Sequence, residues 1–292
     1  MNSHDQHVES SDGTRLALRR LGAGDPVVLV HGSGGGLHSW AAVADQLAPD
    51  HEVWMPARRG YGPSDVPPGT KSFAVETADL LAVIEAARQR TGRRVHVVGA
   101  SYGATLALHT ASADPRDIRS LAVFEPPLFA AGPEIAPLLD RYRAAFERDD
   151  APAMAAALHE VTRVPAEIVA ALAAGAGDRT PDPVEARRAA IGWLHDLEAL
   201  AGDSTDIARW SSITVPTLLL AGADTWEPMP TMMNALATAI RPARHLVWTG
   251  QSHFVTMTAP TLVADALRQF FAEASAAPPS SGDPTGTATA AR

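Results

Sequence analysis

The stretch Val95-His96-Val97-Val98-Gly99-Ala100-Ser101-Tyr102-Gly103-Ala104-Thr105-Leu106-Ala107-Leu108-His109 decides the fold. Its first four residues form a valine-rich run suited to a strand buried on both faces. Its last six are predominantly helix formers. Between them lies G-x-S-x-G, a short pattern that gains meaning only on a sharp turn between a buried strand and a helix. Such a turn exposes a serine oxygen only where its close neighbours are small, and Gly99, Ala100 and Gly103 meet that need. Ser101 is therefore a candidate nucleophile. The alternative is a Gly-Ser turn without chemistry, and the flanking pattern argues against it.

Outward from this motif the chain alternates strands with helices. Residues 8–20 alternate around Ser11-Asp12-Gly13-Thr14 and predict two short antiparallel strands. Apolar runs at Pro26–Val30, 52–56, Ile118–Phe124, Thr217–Ala221 and His245–Trp248 predict further strands. Helical stretches are expected at 39–48, 73–90, 230–240 and 260–273. This order predicts an α/β fold: a mostly parallel central sheet with helices on both faces. The alternation stops near residue 128 and resumes near 211. Between them, 129–210 is Ala-rich and helical in pattern, an insertion expected to form a lid. The core thus comprises 1–128 and 211–273, and the Ala/Pro/Ser/Gly/Thr-rich tail 274–292 reads as disordered.

The 292 residues carry a net charge of −9, which offers no basic footprint for nucleic acid. The absence of cysteine excludes disulfides, thiolate metal sites and a cysteine nucleophile. The polar segment Met1–His7 lacks the basic-then-apolar pattern of a signal peptide, and no apolar run approaches the length of a membrane span. A soluble cytoplasmic protein is the expectation. The insertion holds 8 arginines and no lysine against 14 aspartates and glutamates, so it carries −6 of the total. A solvated helical surface explains that charge; a surface that repels anionic partners such as acidic carrier proteins is the functional alternative.

A serine hydroxyl needs a base within hydrogen-bond reach. His4 and His7 lie in the terminus, His96 falls inside a strand and His109 sits two helical turns past Ser101. His253, in Thr249-Gly250-Gln251-Ser252-His253-Phe254, occupies a loop between the last strand and the last helix. A second glycine-rich loop, His31-Gly32-Ser33-Gly34-Gly35-Gly36, follows the Pro26–Val30 strand. It lacks the G-x-x-x-x-G-K-[ST] spacing of a phosphate loop.

These pieces, with Trp40 after His31-Gly32 and the loop Arg59-Gly60-Tyr61-Gly62-Pro63-Ser64, resemble the α/β-hydrolase superfamily, in particular its lidded esterase-like members. The resemblance spans 8–128 and 211–273 and leaves the insertion unmatched. It implies the chain order serine, acid, histidine, hence His253 as base, and an oxyanion hole built from the backbone N–H groups of Ser33 and Tyr102. Similar dehalogenases and epoxide hydrolases carry aspartate at the elbow; Ser101 makes both chemistries unexpected here.

Two carboxylates compete to orient the histidine. Family members usually place the acid three residues after the glycine of Ala221-Gly222-Ala223-Asp224-Thr225-Trp226, where this chain has Thr225, with Asp224 one earlier. Glu125, in Val123-Phe124-Glu125-Pro126-Pro127, ends the preceding sheet strand, a place from which some relatives draw their acid. Both remain candidates.

The resemblance implies a serine hydrolase acting through an acyl-enzyme; no His or carboxylate spacing resembles a metal-ligand set, so no metal is expected, and no cofactor is implied either. Trp40, Leu128, Phe129, Trp193, Trp226, Met229 and Phe254 are candidate pocket residues, which suits an ester or lactone of a small apolar molecule as substrate. Two other classes share these residues: a lyase, cyclase or isomerase that uses Ser101 and His253 for proton transfer, and a ligand receptor with little turnover.

Overall fold

In the computed structural model, which describes residues 6–170, 182–241 and 243–276, the strands join into one sheet of eight. They are β1 (Gln6–Glu9), β2 (Arg15–Leu21), β3 (Asp25–Val30), β4 (His51–Pro56), β5 (Val95–Ala100), β6 (Ile118–Phe124), β7 (Thr217–Gly222) and β8 (Ala243–Trp248). The spatial order is β1-β2-β4-β3-β5-β6-β7-β8. The β1–β2 and β2–β4 pairs are antiparallel and every other pair is parallel. A chain that starts with a hairpin and continues with strand–helix crossovers gives this mixed sheet.

The central strands read as mostly apolar runs because both faces are covered. Val28 and Val30 of β3, Val97 of β5, Leu121 and Val123 of β6 and Leu219 of β7 point into one core. Their sequence neighbours Val27, Leu29, Val98, Ala122, Phe124, Leu218 and Leu220 point into the other. Side chains alternate with period two, so a strand sandwiched between helix layers is apolar at most positions. The buried His96 of β5 and Ser120 of β6 depart from this and hydrogen-bond to each other at 2.7 Å.

Helices α2 (Phe73–Thr91) and α3 (Tyr102–Ala113) cover the first face. The chain enters α2 at Ser72, whose hydroxyl accepts the Val75 N–H, and leaves it at Gly92, which adopts φ 70°. A side-chain cap and a left-handed glycine are the standard start and stop of a helix. Helix α1 (Ala41–Leu47) lies on the opposite face, packed through Val43, Ala44 and Leu47.

In the insertion, α4 (Ala136–Glu147), α5 (Ala151–Thr162) and α6 (Pro183–Ala201) are followed by a 3₁₀ turn at Ile207–Ser212. Asp150 and Asp182 cap α5 and α6, each with a proline in the first turn. Leu139, Tyr142, Val161, Leu197 and Leu200 seat these helices on the α2/α3 face of the core. Helix α7 (Met229–Ala239) follows β7; the short α8 (Val255–Thr258) and α9 (Pro260–Ala276) follow β8. Helix α9 packs on the α1 face through Val263, Leu267, Phe270 and Phe271.

Two expectations need adjustment. Helix α9 runs three residues past 273, because Ala274 still turns into the core; the rest of the tail, 277–292, lies outside the described residues. Trp40, expected to line a pocket, is 3% exposed and packs in the core on the α1/α9 face, away from the insertion. Among the described residues no helix is long and apolar enough to cross a membrane.

Candidate active site

Strands β3, β5, β6 and β7 end together at one edge of the sheet, and the candidate residues sit on the loops that leave them. Ser101 follows β5 with φ 54° and ψ −126°, outside the regions a side chain prefers. Its N–H donates to the Phe124 carbonyl at 2.8 Å, and its own carbonyl accepts from Ala104 and Thr105. These bonds hold the strained residue at the head of α3. The small neighbours are required sterically. A Cβ on Gly99 would lie 2.3 Å from the Gly103 carbonyl oxygen, and one on Gly103 would lie 2.5 Å from the Val30 and His31 oxygens.

Of the two candidate acids, Glu125 is the one in contact with His253. Its Oε2 is 2.6 Å from His253 Nδ1, and its Oε1 accepts from the Gly222 N–H at 2.8 Å and the Thr225 hydroxyl at 2.7 Å. The side chain is fully buried, and its backbone adopts φ 44° immediately after β6. Asp224 is exposed and serves the site through its backbone: its N–H donates to the Gln251 carbonyl at 2.9 Å, which holds the His253 loop against the end of β7. Thr225, standing where family members usually carry the acid, instead donates to it.

The Glu125 contact engages Nδ1 and leaves Nε2 of His253 facing away. The ring is walled by aromatic groups: Phe124 stacks at 5.8 Å, while Trp226 and Phe254 meet it edge-on at 5.9 and 5.7 Å. The Trp226 indole donates to the Thr162 carbonyl at the end of α5, so the insertion reaches this wall. Ser101 and His253 are not hydrogen-bonded to each other here; in resting sites this contact is often long and tightens with substrate.

The loop after β3 lies beside the serine. A Cβ on Gly32 would approach Ser101 Cβ to 3.0 Å and its Oγ to 3.6 Å. The N–H of Tyr102, first in α3, has no intrahelical acceptor. Trp193 of α6 lies over Gly34, with Nε1 3.0 Å from where a Cβ would be. Leu128 and Met229 are buried in the α2/α3-side core, and Phe129 and Trp193 are partly buried against it.

Behind that loop lies a group of residues that the sequence motifs do not announce. His31 is buried and neutral: burial first, then the Arg58 charge, push it down to about 3. Its Nε2 accepts the Arg58 N–H at 3.0 Å, so Nδ1 carries the proton and donates to the Gly32 carbonyl at 2.7 Å. Arg58, Lys71, Glu76 and Asp196 form a buried four-charge cluster, with Tyr61 and Tyr102 against it. Burial pushes the Asp196 carboxyl up, but Arg58 and Lys71 outweigh it and hold it below the usual carboxylate range. One sequence signal was available: Lys71 is the chain's only lysine.

Residues 27–266 match the alpha/beta hydrolase family, and the chain belongs to that family. An alpha/beta hydrolase from Sphaerobacter thermophilus has a similar structure: TM-score 0.71 at 32% identity, covering 91% of this chain and all of that one. The enol-lactonase of Burkholderia xenovorans shares the fold at 20% identity, with TM-score 0.72 over 91% of this chain and 100% of its own. In sequence, the chain is 35% identical to the 2-hydroxy-6-oxo-2,4-heptadienoate hydrolase of Pseudomonas putida over 130 residues, 42% of this chain and 45% of that protein. The chain thus spans less than half the length of the curated relatives it matches.

Proposed function

We propose that the protein is a serine hydrolase that cleaves an ester or lactone of a small apolar molecule through an acyl-enzyme. The observation that carries this reading is the buried Glu125 carboxylate hydrogen-bonded to Nδ1 of His253, on the same sheet edge as the strained Ser101. With Nδ1–H donated to Glu125, Nε2 is free to accept the Ser101 proton, and Glu125 stabilises the imidazolium that forms.

Ser101 Oγ attacks the acyl carbon as its proton passes to His253 Nε2. The carbonyl oxygen gains the charge and is held by the Ser33 and Tyr102 N–H groups, donors fixed before the reaction begins. Collapse breaks the bond to the alkoxy oxygen, which leaves with the proton from His253. Water then gives a proton to His253 and attacks the acyl carbon; Ser101 recovers that proton as the acid departs. Glu125 keeps its charge throughout.

The residues around the site support the substrate class. Trp226, Phe254 and Trp193 are partly exposed and bring no charge, which suits an uncharged acyl group; Leu128, expected beside them, is buried in the core. The insertion serves as lid over this space, and its excess of carboxylates disfavours acyl groups on acidic carriers. The test is turnover of a panel of p-nitrophenyl esters and aliphatic lactones. Short and medium esters should be hydrolysed, and Ser101→Ala and His253→Ala should abolish the activity. A wild-type chain that turns over no member of the panel contradicts the reading.

A further inference from the structure

We infer that Asp196, carried into the core by α6 of the insertion, is a positioning residue for the oxyanion hole, so that the hole is complete only while the insertion is seated. The inference rests on the serine hydrolase reading above. Asp196 Oδ2 accepts the Ser33 hydroxyl at 2.5 Å and the Tyr61 hydroxyl at 2.7 Å. Tyr61 Oη in turn accepts the Gly34 N–H at 3.2 Å. On the other side of Ser33, Arg58 donates to the His31 carbonyl at 3.0 Å and the Gly32 carbonyl at 3.3 Å, while its guanidinium pairs with both Asp196 oxygens at 2.9 and 2.8 Å. The peptide that presents the Ser33 N–H is thus held from its side chain and from both flanks. The Ser33, Tyr61 and Arg58 side-chain tethers lead to Asp196, while the Gly32 carbonyl also accepts from His31 Nδ1 at 2.7 Å and from the Gly35 N–H at 3.3 Å.

The second donor has the same anchor. The Tyr102 hydroxyl donates to Glu76, which Arg58 joins to Asp196 at 2.9 Å and Lys71 bridges from the other side. Both residues that present an oxyanion N–H therefore bind the four-charge cluster through their side-chain hydroxyls. Stability alone is a weak reason for such a cluster, because well-packed apolar side chains of equal volume often serve as well or better. Geometry is a better one: charge-assisted bonds fix donors in place more tightly than apolar contacts do. Three members, Arg58, Lys71 and Glu76, belong to the core, whereas Asp196 alone comes from the insertion.

The test is the rate at which a fluorophosphonate labels Ser101 in the full chain, with kcat and KM for p-nitrophenyl butyrate and the melting temperature measured alongside. The phosphoryl oxygen uses the same hole, so Asp196→Asn should slow labelling about tenfold or more and lower kcat similarly. KM should stay within about twofold, since the donors act on the transition state. Ser33→Ala should show the same split, Ser33→Thr should restore most of the rate, and Ser33→Ala with Asp196→Asn should lose little more than Asp196→Asn alone. Arg143→Ala, which cuts a partly exposed pair to Glu198 on the same helix, should label like wild type. If Asp196→Asn does not fold, the Ser33→Ala and Ser33→Thr pair decides. Wild-type labelling rates in Ser33→Ala and folded Asp196→Asn overturn the inference, as does an equal loss in Arg143→Ala, which would mean only a loosened insertion. A wild-type chain that does not label at Ser101 overturns the hydrolase reading itself.

Discussion

Glu125 Oε2 lies 2.6 Å from Nδ1 of His253, although 128 residues separate the two in the chain. The parallel register brings this about, because β6 and β7 are neighbours and the His253 loop folds back over the end of β7. Glutamate suits the position. It leaves the strand tip one strand away from where family members usually carry the acid, and its extra methylene spans the gap.

Exchanging Glu125→Gln with Asp224→Asn separates the two carboxylates. Glu125→Gln keeps the shape but presents an amide to Nδ1 and removes the charge behind the imidazolium, and kcat should fall by about three to four orders of magnitude. Asp224→Asn, with an exposed side chain, should stay near wild type in kcat for p-nitrophenyl butyrate. The reverse ranking would assign the acid to Asp224.

Thr225→Val tests the support behind the Glu125 carboxylate. The valine removes a 2.7 Å donor from Glu125 Oε1 and leaves the Gly222 N–H as that oxygen's partner. A hydrogen bond to a charged group contributes about 1.5–3 kcal/mol, so unfolding by urea should show a loss of that order. Activity should drop by far less than in Glu125→Gln. An unchanged midpoint would mean that the hydroxyl contributes nothing to holding the carboxylate.

Gly103→Ala probes the close approach of the elbow to the loop after β3. The added methyl would sit 2.5 Å from two backbone oxygens, which no side-chain movement can relieve. Overpacking of this kind costs about 1–3 kcal/mol or more. Both the melting temperature and the fluorophosphonate labelling rate should fall together, since the displaced loop carries Ser33. Retention of both would contradict the packing described.

Two buried neutral histidines contribute to the acid side of the stability profile. Burial, reinforced by Arg58, brings His31 down to about 3; burial, reinforced by His51, does the same for His96. Unfolded, each takes up a proton below about pH 6.5, whereas the folded chain resists until near pH 3. Their contribution to stability is therefore full above about pH 6.5 and falls as the pH drops toward 3, by about 1.4 kcal/mol per unit per histidine. Urea unfolding at pH 7.5, 6 and 5 should show this slope, reduced by one proton in His96→Leu. A profile flat from pH 7.5 to 5 would contradict it.

The fold was legible because its signals are local. Two-faced burial makes β3, β5, β6 and β7 apolar at most successive positions, with His96 and Ser120 as buried exceptions, and the small residues around Ser101 mark a turn with no room for side chains. Which of Glu125 and Asp224 contacts His253 was not legible, since it depends on which strand tip faces His253 across the sheet. Trp40 misled because a large aromatic near a glycine-rich loop reads the same in the core as in a pocket. The Asp196 cluster draws on positions 33, 58, 61, 71, 76, 102 and 196, and no spacing rule links residues that meet only when the insertion packs on the core. A solitary lysine at 71 was its one visible trace.

The central claim is that Ser101 becomes covalently modified through the His253–Glu125 pair. Intact-protein mass spectrometry after treatment with a fluorophosphonate, followed by peptide mapping, measures it directly. One phosphonyl adduct per chain should appear on the peptide that carries Ser101, and it should be absent in Ser101→Ala and strongly slowed in His253→Ala. A folded wild-type chain that gains no mass, or gains it on another residue, would contradict the account.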